Sequence, residues 1–147
     1  MSQKKIGENG KIPISSSLLN NIFQLIMDRR FSEAERNLDE VVAKLGEEGR
    51  DEFKRGFIKA LKGIILMYRS NEQESFIRTL DPNNIDSLKR YLEEFTRNSR
   101  DMLQGEYDRG YFLALANYIR FMLRCAGSGR EDKAEDDGGL VKQQERV

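Results

Sequence analysis

The sequence predicts an all-α protein: a compact bundle or short solenoid of five to six helices, built from two similar three-helix halves. Two observations lead to this prediction. Apolar residues recur every three to four positions along most of the chain, which is the spacing of one helix face. In addition, the segment that begins at Glu52 returns 54 positions later at Glu106, and the match continues without a gap through Ile65 and Ile119.

The repeated segment reads Glu-Phe-Lys-Arg-Gly-Phe at 52–57 and Glu-Tyr-Asp-Arg-Gly-Tyr at 106–111. Its shared glutamate, arginine and glycine are informative, because the apolar face of a helix requires none of them. A glycine inside a helix costs about 1 kcal/mol relative to alanine. Gly56 and Gly110 therefore predict two places where a neighbouring helix approaches closely. We interpret the repeat as an internal duplication, and a chance match is the alternative.

One folded domain with two less ordered ends is expected from the length and composition. A chain of 147 residues fits a single domain. Residues 1–14 are polar and predict a flexible arm, whereas 15–126 predict one helical domain with repeat units at about 16–69 and 70–124. The segment 127–147 is charged and nearly free of large apolar residues, so we expect a disordered tail.

Charge and cysteine content limit the classes of partner and compartment. The formal net charge is zero, which disfavours wholesale attraction to nucleic acid or to an anionic membrane. The single cysteine excludes an internal disulfide framework and fits a reducing compartment. No apolar run reaches the length of a membrane span, and the first residues do not resemble a signal peptide. We therefore expect a cytoplasmic protein without a membrane partner.

Three helices are predicted in the first half. The first follows the serines at 15–17, whose hydroxyl groups can cap a first turn, and ends near Arg29 and Arg30. The second is expected to begin at the capping box Ser-Glu-Ala-Glu at 32–35. The third, which is the first copy of the repeat, follows Asp51 as its N-cap.

Three further helices are predicted in the second half. A second capping box, Ser-Asn-Glu-Gln at 70–73, predicts a short fourth helix. A turn around Pro82 separates it from a fifth helix, which begins at Ile85 and is broken by Gly105. The second copy of the repeat forms the sixth helix and is predicted to end at about Arg124.

Residues 30–35, Arg-Phe-Ser-Glu-Ala-Glu, resemble the junction between the two helices of a tetratricopeptide repeat. The aromatic Phe31 before the turn and the small Ala34 just inside the second helix carry this resemblance, which implies a peptide- or protein-binding scaffold. The chain departs from the family in three respects. The first helix lacks a Leu-Gly-x-x-Tyr pattern, no proline closes the second helix, and the period is 54 residues rather than about 34.

Few residues in this chain suit catalysis or metal binding. It contains no histidine, which removes the commonest general base and metal ligand at neutral pH. Glu33 and Glu35 are two positions apart and do not share a helix face, so we interpret them as solvated. Cys125 follows an apolar helix and is interpreted as an inert packing residue. We expect no catalytic residue, no metal site and no cofactor.

Apolar residues outside the main helix faces favour a non-enzymatic protein–protein interaction or scaffold module. Because a two-layer bundle has difficulty burying such residues, they predict a surface that binds another protein or, in a homodimer, a second copy. Five residues of the third and sixth helices have this property: Ile58, Leu66, Met67, Leu113 and Phe121.

A basic stripe supports the alternative function. Arg55, Lys59 and Lys62 follow one face of the third helix, and Arg120 and Arg124 of the sixth helix can extend that surface. Such a stripe predicts a nucleic-acid-binding or phosphate-binding accessory protein. Ordinary surface pairing with nearby acidic residues is the other interpretation. The balanced net charge favours a protein partner over nucleic acid.

Overall fold

The computed structural model describes residues 12–46, 51–70 and 76–138, without the side chains of 78 and 128–138. Within these residues the chain forms only helices and no strand, which confirms the prediction of an all-α bundle. The helices are α1 (Ser16–Met27), α2 (Phe31–Leu45), α3 (Glu52–Arg69), a 3₁₀ helix (Ile77–Thr79), α4 (Ile85–Arg100) and α5 (Glu106–Gly138). None of them combines the length and the apolar character that crossing a bilayer requires.

Two pairs of helices follow the period of the repeat. Helices α2 and α4 begin 54 residues apart, at 31 and 85, and α3 and α5 begin 54 residues apart, at 52 and 106. The first helix has no such counterpart in the described residues. In the described residues, the predicted fourth helix is represented only by the three-residue 3₁₀ helix Ile77–Thr79. Residues 71–75 lie outside the described residues.

Short polar side chains begin three of the helices. Ser15 accepts a hydrogen bond from the backbone N–H of Leu18 at 3.2 Å, and Asp51 accepts one from Lys54 at 3.1 Å. Both caps were expected, since serine and aspartate satisfy the free amides of a first turn. Asn84 caps α4 in the same way.

The junction between α1 and α2 differs from the predicted capping box. Helix α1 ends with Arg29 in the left-handed region (φ 63°), and the backbone N–H of Arg30 donates to the carbonyl of Leu25 at 2.8 Å. This Schellman-type turn leads directly into α2, which begins at Phe31. Ser32 is therefore inside the first turn rather than at the cap, and Arg30 pairs with Glu33. The capping-box prediction is wrong because the turn already fixes where α2 starts.

Helices α3 and α5 form the centre of the fold and run side by side in the same direction. Their first turns touch at Gly56 and Tyr107, and their later turns meet at Tyr68 and Tyr118. Both helices contribute almost completely buried side chains to the core. They include Phe57, Leu61, Ile64, Ile65, Ala114, Tyr118 and Ile119.

Both repeat glycines lie at the crossing of α3 and α5. A Cβ atom on Gly56 would lie 1.9 Å from the carbonyl oxygen of Tyr107, and one on Gly110 would lie 1.9 Å from that of Phe53. The predicted close helix approach is confirmed. The two contacts are reciprocal, because Phe53 and Tyr107 are themselves equivalent positions of the repeat.

The remaining helices cover this pair unequally. Helix α4 forms a tight hairpin with α5, in which the ring centroids of Phe95 and Phe112 are 6.1 Å apart. Helix α1 places Phe23 against α5, 5.2 Å from the Tyr118 ring. Helix α2 packs along α3 much less extensively, and only Ala34 and Leu38 of α2 are buried. The first half is therefore more open than the second.

Both ends of the chain differ from the predicted boundaries. Ile14, assigned by sequence to the flexible arm, is 3% exposed and belongs to the core, while residues 1–11 lie outside the described residues. Helix α5 does not end near Arg124 but continues to Gly138. This stretch contains no proline, and its Arg, Glu, Lys and Ala residues are good helix formers. The rest of the predicted tail, 139–147, lies outside the described residues.

Candidate docking groove

A groove opens between α2 and α3 and extends to the first turn of α5. Its volume is about 280 Å³. We call it the docking groove, and define it by the seven residues that line it: Val42, Leu45, Arg55, Ile58, Lys59, Lys62 and Tyr107.

Apolar side chains form the floor of the docking groove. Helix α2 runs antiparallel to α3, since Glu35 near its start pairs with Arg69 at the end of α3 at 2.7 Å. The last turns of α2 therefore reach the first turns of α3. There, Val42 and Leu45 remain half-buried, and Ile58 is 8% exposed beneath them. A binding partner would cover apolar surface that α2 leaves accessible.

Cations form one wall of the docking groove. Arg55, Lys59 and Lys62 are all exposed, at successive turns of α3. Arg55 donates to Glu52 at 2.9 Å, whereas no described carboxylate forms an ion pair with Lys59 or Lys62. The predicted basic stripe on α3 is thus gathered on one wall, and part of its charge is not neutralised by the described side chains.

The predicted cations of α5 lie on a different surface. Arg124 donates to Asn20 of α1 at 3.1 Å, and its guanidinium lies 6.0 Å from the centre of the Phe121 ring. Arg120 is half-buried, and burial followed by the charges of Arg124 and Arg100 lowers the pKa of its guanidinium. Neither Arg120 nor Arg124 lines the docking groove. The expectation that they extend the α3 stripe is not met, because they face α1 and α4.

The five apolar candidates have different environments. Leu66 is 67% exposed, while Met67 and Leu113 are half-buried against the core. Ile58 and Phe121 are 8% and 7% exposed, so the expectation that the bundle cannot bury such residues is wrong for these two. Helix α2 covers Ile58, and Phe23 of α1 covers Phe121 at a ring distance of 5.5 Å.

Exposed apolar residues that the sequence did not single out lie in the turn between α4 and α5. Met102 is 74% exposed and Leu103 is 95% exposed. The sequence predicted that this helix would continue to Gly105, but α4 ends at Arg100. The carboxylate of Asp101 accepts the backbone N–H of Leu103 at 3.0 Å, which favours a turn over another helical turn. In the sequence, Asp101 was the available signal that a turn, and not a helix, precedes Leu103.

Residues that bind metals do not gather in the described part of the chain. Within it, no group of three or more His, Cys, Asp or Glu side chains is arranged to hold a metal ion. Cys125 is exposed rather than packed, so its interpretation as a packing residue is wrong. Helix α5 presents it on the solvent side, next to the exposed Arg124.

No protein family, curated protein or solved structure matches this chain. The tetratricopeptide resemblance therefore stays a prediction.

Proposed function

We propose that this protein is a non-enzymatic interaction module that binds an acidic, amphipathic helix of a partner protein in the docking groove. An amphipathic helix docks by placing its apolar face in a groove between helices. Val42, Leu45 and Ile58 would receive that face, while Lys59 and Lys62 would pair with acidic residues along its flank. The absence of histidine from the whole chain is consistent with binding rather than catalysis.

The observation that carries this proposal is the difference between two equivalent interfaces. At the spacing of 54, Lys59 and Lys62 of α3 correspond to Leu113 and Ala116 of α5. Leu113 is half-buried and Ala116 is fully buried, and α4 packs tightly along α5. The first half thus has charged side chains and open space where the second half has apolar residues and a packed helix.

The arginines of the repeat support the same comparison. Arg109 donates through Nε to the carbonyl oxygen of Ser99 at 3.1 Å, and so ties α5 to the end of α4. Its equivalent, Arg55, pairs with Glu52 on its own helix and remains exposed in the groove. We infer that the α2–α3 and α4–α5 hairpins arose by duplication, and that the first has kept its interface open for a partner.

A protein segment fits this groove better than nucleic acid does. Phosphate groups would use the three cations but would leave the apolar floor without a partner. The net charge of zero also provides little of the long-range attraction on which phosphate-backbone binding depends. A ligand with one apolar and one acidic face would contact both the apolar floor and the cationic wall of the docking groove.

Fluorescence anisotropy with a designed peptide tests the proposal. The probe is a labelled helical peptide of about 16 residues, with leucine at positions i, i+3, i+4 and i+7 and glutamate on both flanks. The Lys59→Glu, Lys62→Glu double variant should weaken binding at least tenfold, because attraction becomes repulsion along the whole wall. Raising the salt concentration from about 50 to about 200 mM should weaken wild-type binding, because the cations are exposed and screened.

The matched control is the Lys89→Glu, Arg90→Glu double variant. Both residues are exposed on α4, so the change in net charge is the same but the docking groove is intact. The control should bind the peptide like the wild type. Equal loss in both double variants would contradict a docking site in this groove.

Two further measurements separate the alternatives. The first measures binding of a single-stranded RNA oligonucleotide. The nucleic-acid alternative would be favoured if the RNA binds more tightly than the peptide and if the Lys59→Glu, Lys62→Glu variant abolishes RNA binding. Sedimentation would detect a dimer that dissociates in the same variant, and this outcome would place a second copy of the chain in the groove.

A further inference from the structure

A second cavity continues the docking groove along α3. Its volume is about 400 Å³, and its lining includes Lys62, Ile65, Leu66 and Arg69 of α3 together with Glu35 of α2. We call it the Leu66 cavity, because this leucine is 67% exposed within it. Lys62 lines the docking groove as well, so the two cavities meet at its side chain.

Both cavities lie on one face of α3. The lining residues of this helix recur at intervals of three and four positions from Arg55 to Arg69, which is the spacing of a single helix face. Ile58 precedes Lys62 by four positions and Leu66 follows it by four, so two apolar side chains lie about 12 Å apart along the helix with a cation between them. The whole face is about 21 Å long, which matches about four turns of a second helix.

The equivalent face of α5 is covered by a neighbouring helix. At the spacing of 54, Ile58 corresponds to Phe112, whose ring stacks on Phe95 of α4. Leu66 corresponds to Arg120, so α3 has an exposed leucine where α5 has a half-buried arginine. An exposed leucine gains free energy only when a partner removes it from water. This face of α3 therefore has an apolar contact residue that no described helix covers.

Charge is distributed unevenly along this face. At the far end of the Leu66 cavity, Arg69 pairs with Glu35 at 2.7 Å, so the two charges balance there. Lys59 and Lys62 are exposed, and no described carboxylate forms an ion pair with them. An acidic segment is therefore attracted to the docking groove, whereas the Leu66 cavity favours an apolar segment without net charge.

We propose that the partner helix lies lengthwise along α3 and occupies both cavities, with an acidic half beside Lys59 and Lys62 and an uncharged, apolar half against Leu66. This arrangement rests on the proposed function, since it extends the same site. It specifies the partner further: an amphipathic helix of about four turns that is acidic along one half only. Continuity through Lys62 supports one ligand, because a helix that lies in the docking groove and extends past Lys62 enters the Leu66 cavity.

Fluorescence anisotropy of the Leu66→Ser variant tests the second contact. The labelled peptide described above, of about 16 residues, is about 24 Å long as a helix and can reach both cavities. Leu66→Ser should weaken its binding about fivefold, because an apolar contact is lost. The matched control is Leu103→Ser, at a residue that is 95% exposed in the turn between α4 and α5, and it should bind like the wild type. An unchanged affinity in Leu66→Ser, or an equal loss in both variants, would overturn the proposal.

Comparison with the Lys59→Glu, Lys62→Glu variant separates this proposal from the proposed function. If Leu66→Ser binds like the wild type while the double variant loses affinity tenfold, the partner occupies the docking groove alone and the lengthwise arrangement is wrong. If the wild type does not bind the peptide, or if neither variant weakens binding, both proposals are wrong. A dimer that dissociates in Leu66→Ser, detected by sedimentation, would place a second copy of the chain against Leu66 and overturn the proposal.

Paramagnetic broadening of methyl signals tests how the helix lies. The probe is the same peptide with glutamate on the flanks of its N-terminal half only, glutamine on the flanks of the other half, and a nitroxide at one end. Val42 lines the docking groove and Leu66 the second cavity, so ¹³C-labelled methyl groups of the two residues report on the two halves. A nitroxide at the glutamate end should broaden Val42 more than Leu66, and one at the glutamine end should do the reverse. The same ranking from both ends would mean that the peptide crosses α3, and the opposite rankings would place the acidic half at Leu66; either result would overturn the proposal.

Discussion

Two glycine residues determine how closely α3 and α5 approach. A Cβ atom on either glycine would lie 1.9 Å from a carbonyl oxygen of the other helix, far inside van der Waals contact. The obstructing atoms belong to the backbone, so a rotamer change cannot relieve the clash. At this crossing, glycine is required by the space between the helices rather than by backbone conformation.

Alanine at these positions should therefore destabilise the protein strongly. We expect Gly56→Ala or Gly110→Ala to lower the free energy of unfolding by about 3 kcal/mol, because two packed helices must separate. Urea denaturation measures the change. Gly63→Ala is the control, since its Cβ would lie 3.8 Å from the Tyr111 hydroxyl. It should raise stability by up to about 1 kcal/mol through better helix propensity, and a loss as large as at Gly56 would contradict this account.

At the turn that ends α1, introducing a glycine should stabilise the protein, whereas replacing Gly56 or Gly110 should destabilise it. Arg29→Gly should increase the free energy of unfolding by about 0.5–1 kcal/mol, because glycine adopts the left-handed conformation without a steric cost. Thermal melting of Arg29→Gly, compared with that of the control variant Arg30→Gly, measures the effect. Arg30 has a φ of −96°, so glycine relieves no strain there and should lower stability slightly. Equal shifts at the two positions would mean that conformation is not the cause.

Single residues differed in how far the sequence predicted their role. Gly56 and Gly110 were predictable because an unfavourable residue recurs at equivalent points of two helices. The burial of Ile58 and Phe121 was not, because it depends on which neighbouring helix covers the secondary apolar face. The positive φ of Arg29 was not predictable either, since arginine is an uncommon residue in that conformation.

Helices α3 and α5 are joined by a polar contact as well as by their apolar faces. The hydroxyl groups of Tyr68 and Tyr118 form a hydrogen bond 2.5 Å long within the bundle. Burial is the largest cause of a raised pKa at both tyrosines, and at Tyr118 the neighbouring Tyr68 raises it further. Both groups therefore stay protonated at a pH where the tyrosines of an unfolded chain ionise.

This contact predicts sensitivity to alkali. The unfolded chain releases tyrosine protons from about pH 10 upward, whereas the folded protein retains them. The stabilising contribution should be complete below pH 10 and should decline as the pH rises further. Urea denaturation between pH 8 and pH 11.5 (about these limits) should give a shallower decline for Tyr118→Phe than for the wild type. Identical slopes in the two proteins would contradict the prediction.

At the scale of elements, helix starts were more predictable than helix ends. Ser15 and Asp51 cap their helices as expected, because a short polar side chain is a local signal. The prediction of a capping box at 32–35 was wrong, because the Schellman turn before it makes α2 begin at Phe31. Helix α5 passed its predicted end because nothing after Arg124 stops a helix as strongly as proline does.

For the whole molecule, the most extensive helix interface joins the two halves of the chain. Among the described residues, α3 and α5 supply six of the twelve largest fully buried side chains, and their interface joins residues that are about 50 positions apart in sequence. A solenoid would instead have repeats whose stability is largely their own plus that of a neighbouring interface. The structure accordingly agrees better with the compact-bundle form of the prediction.

Neither half should therefore fold alone. We expect the fragments 12–70 and 76–138 to lack a cooperative thermal transition when each is separate, because each exposes the apolar face of its central helix. Circular dichroism of the fragments, alone and as an equimolar mixture, measures this. The mixture should regain helicity and a cooperative melt. A cooperative transition in fragment 12–70 alone would mean that the first half is an independent unit.

The fold class and the central pair of helices could thus be predicted, but the docking groove could not. Periodicity identifies which face of a helix is buried and does not specify how far α2 is separated from α3. The docking groove results from that separation, and Tyr107 completes it from a distant part of the chain.

The reciprocal glycine contacts also determine how substitutions combine. Each glycine packs against the backbone of the other helix, close to the other glycine. One added methyl group therefore already separates α3 from α5 and makes room for a second methyl group. The combined Gly56→Ala, Gly110→Ala protein should therefore lose less stability than the two single losses added together. A double-mutant cycle would measure this coupling energy, which a pair of unrelated helix contacts would not produce.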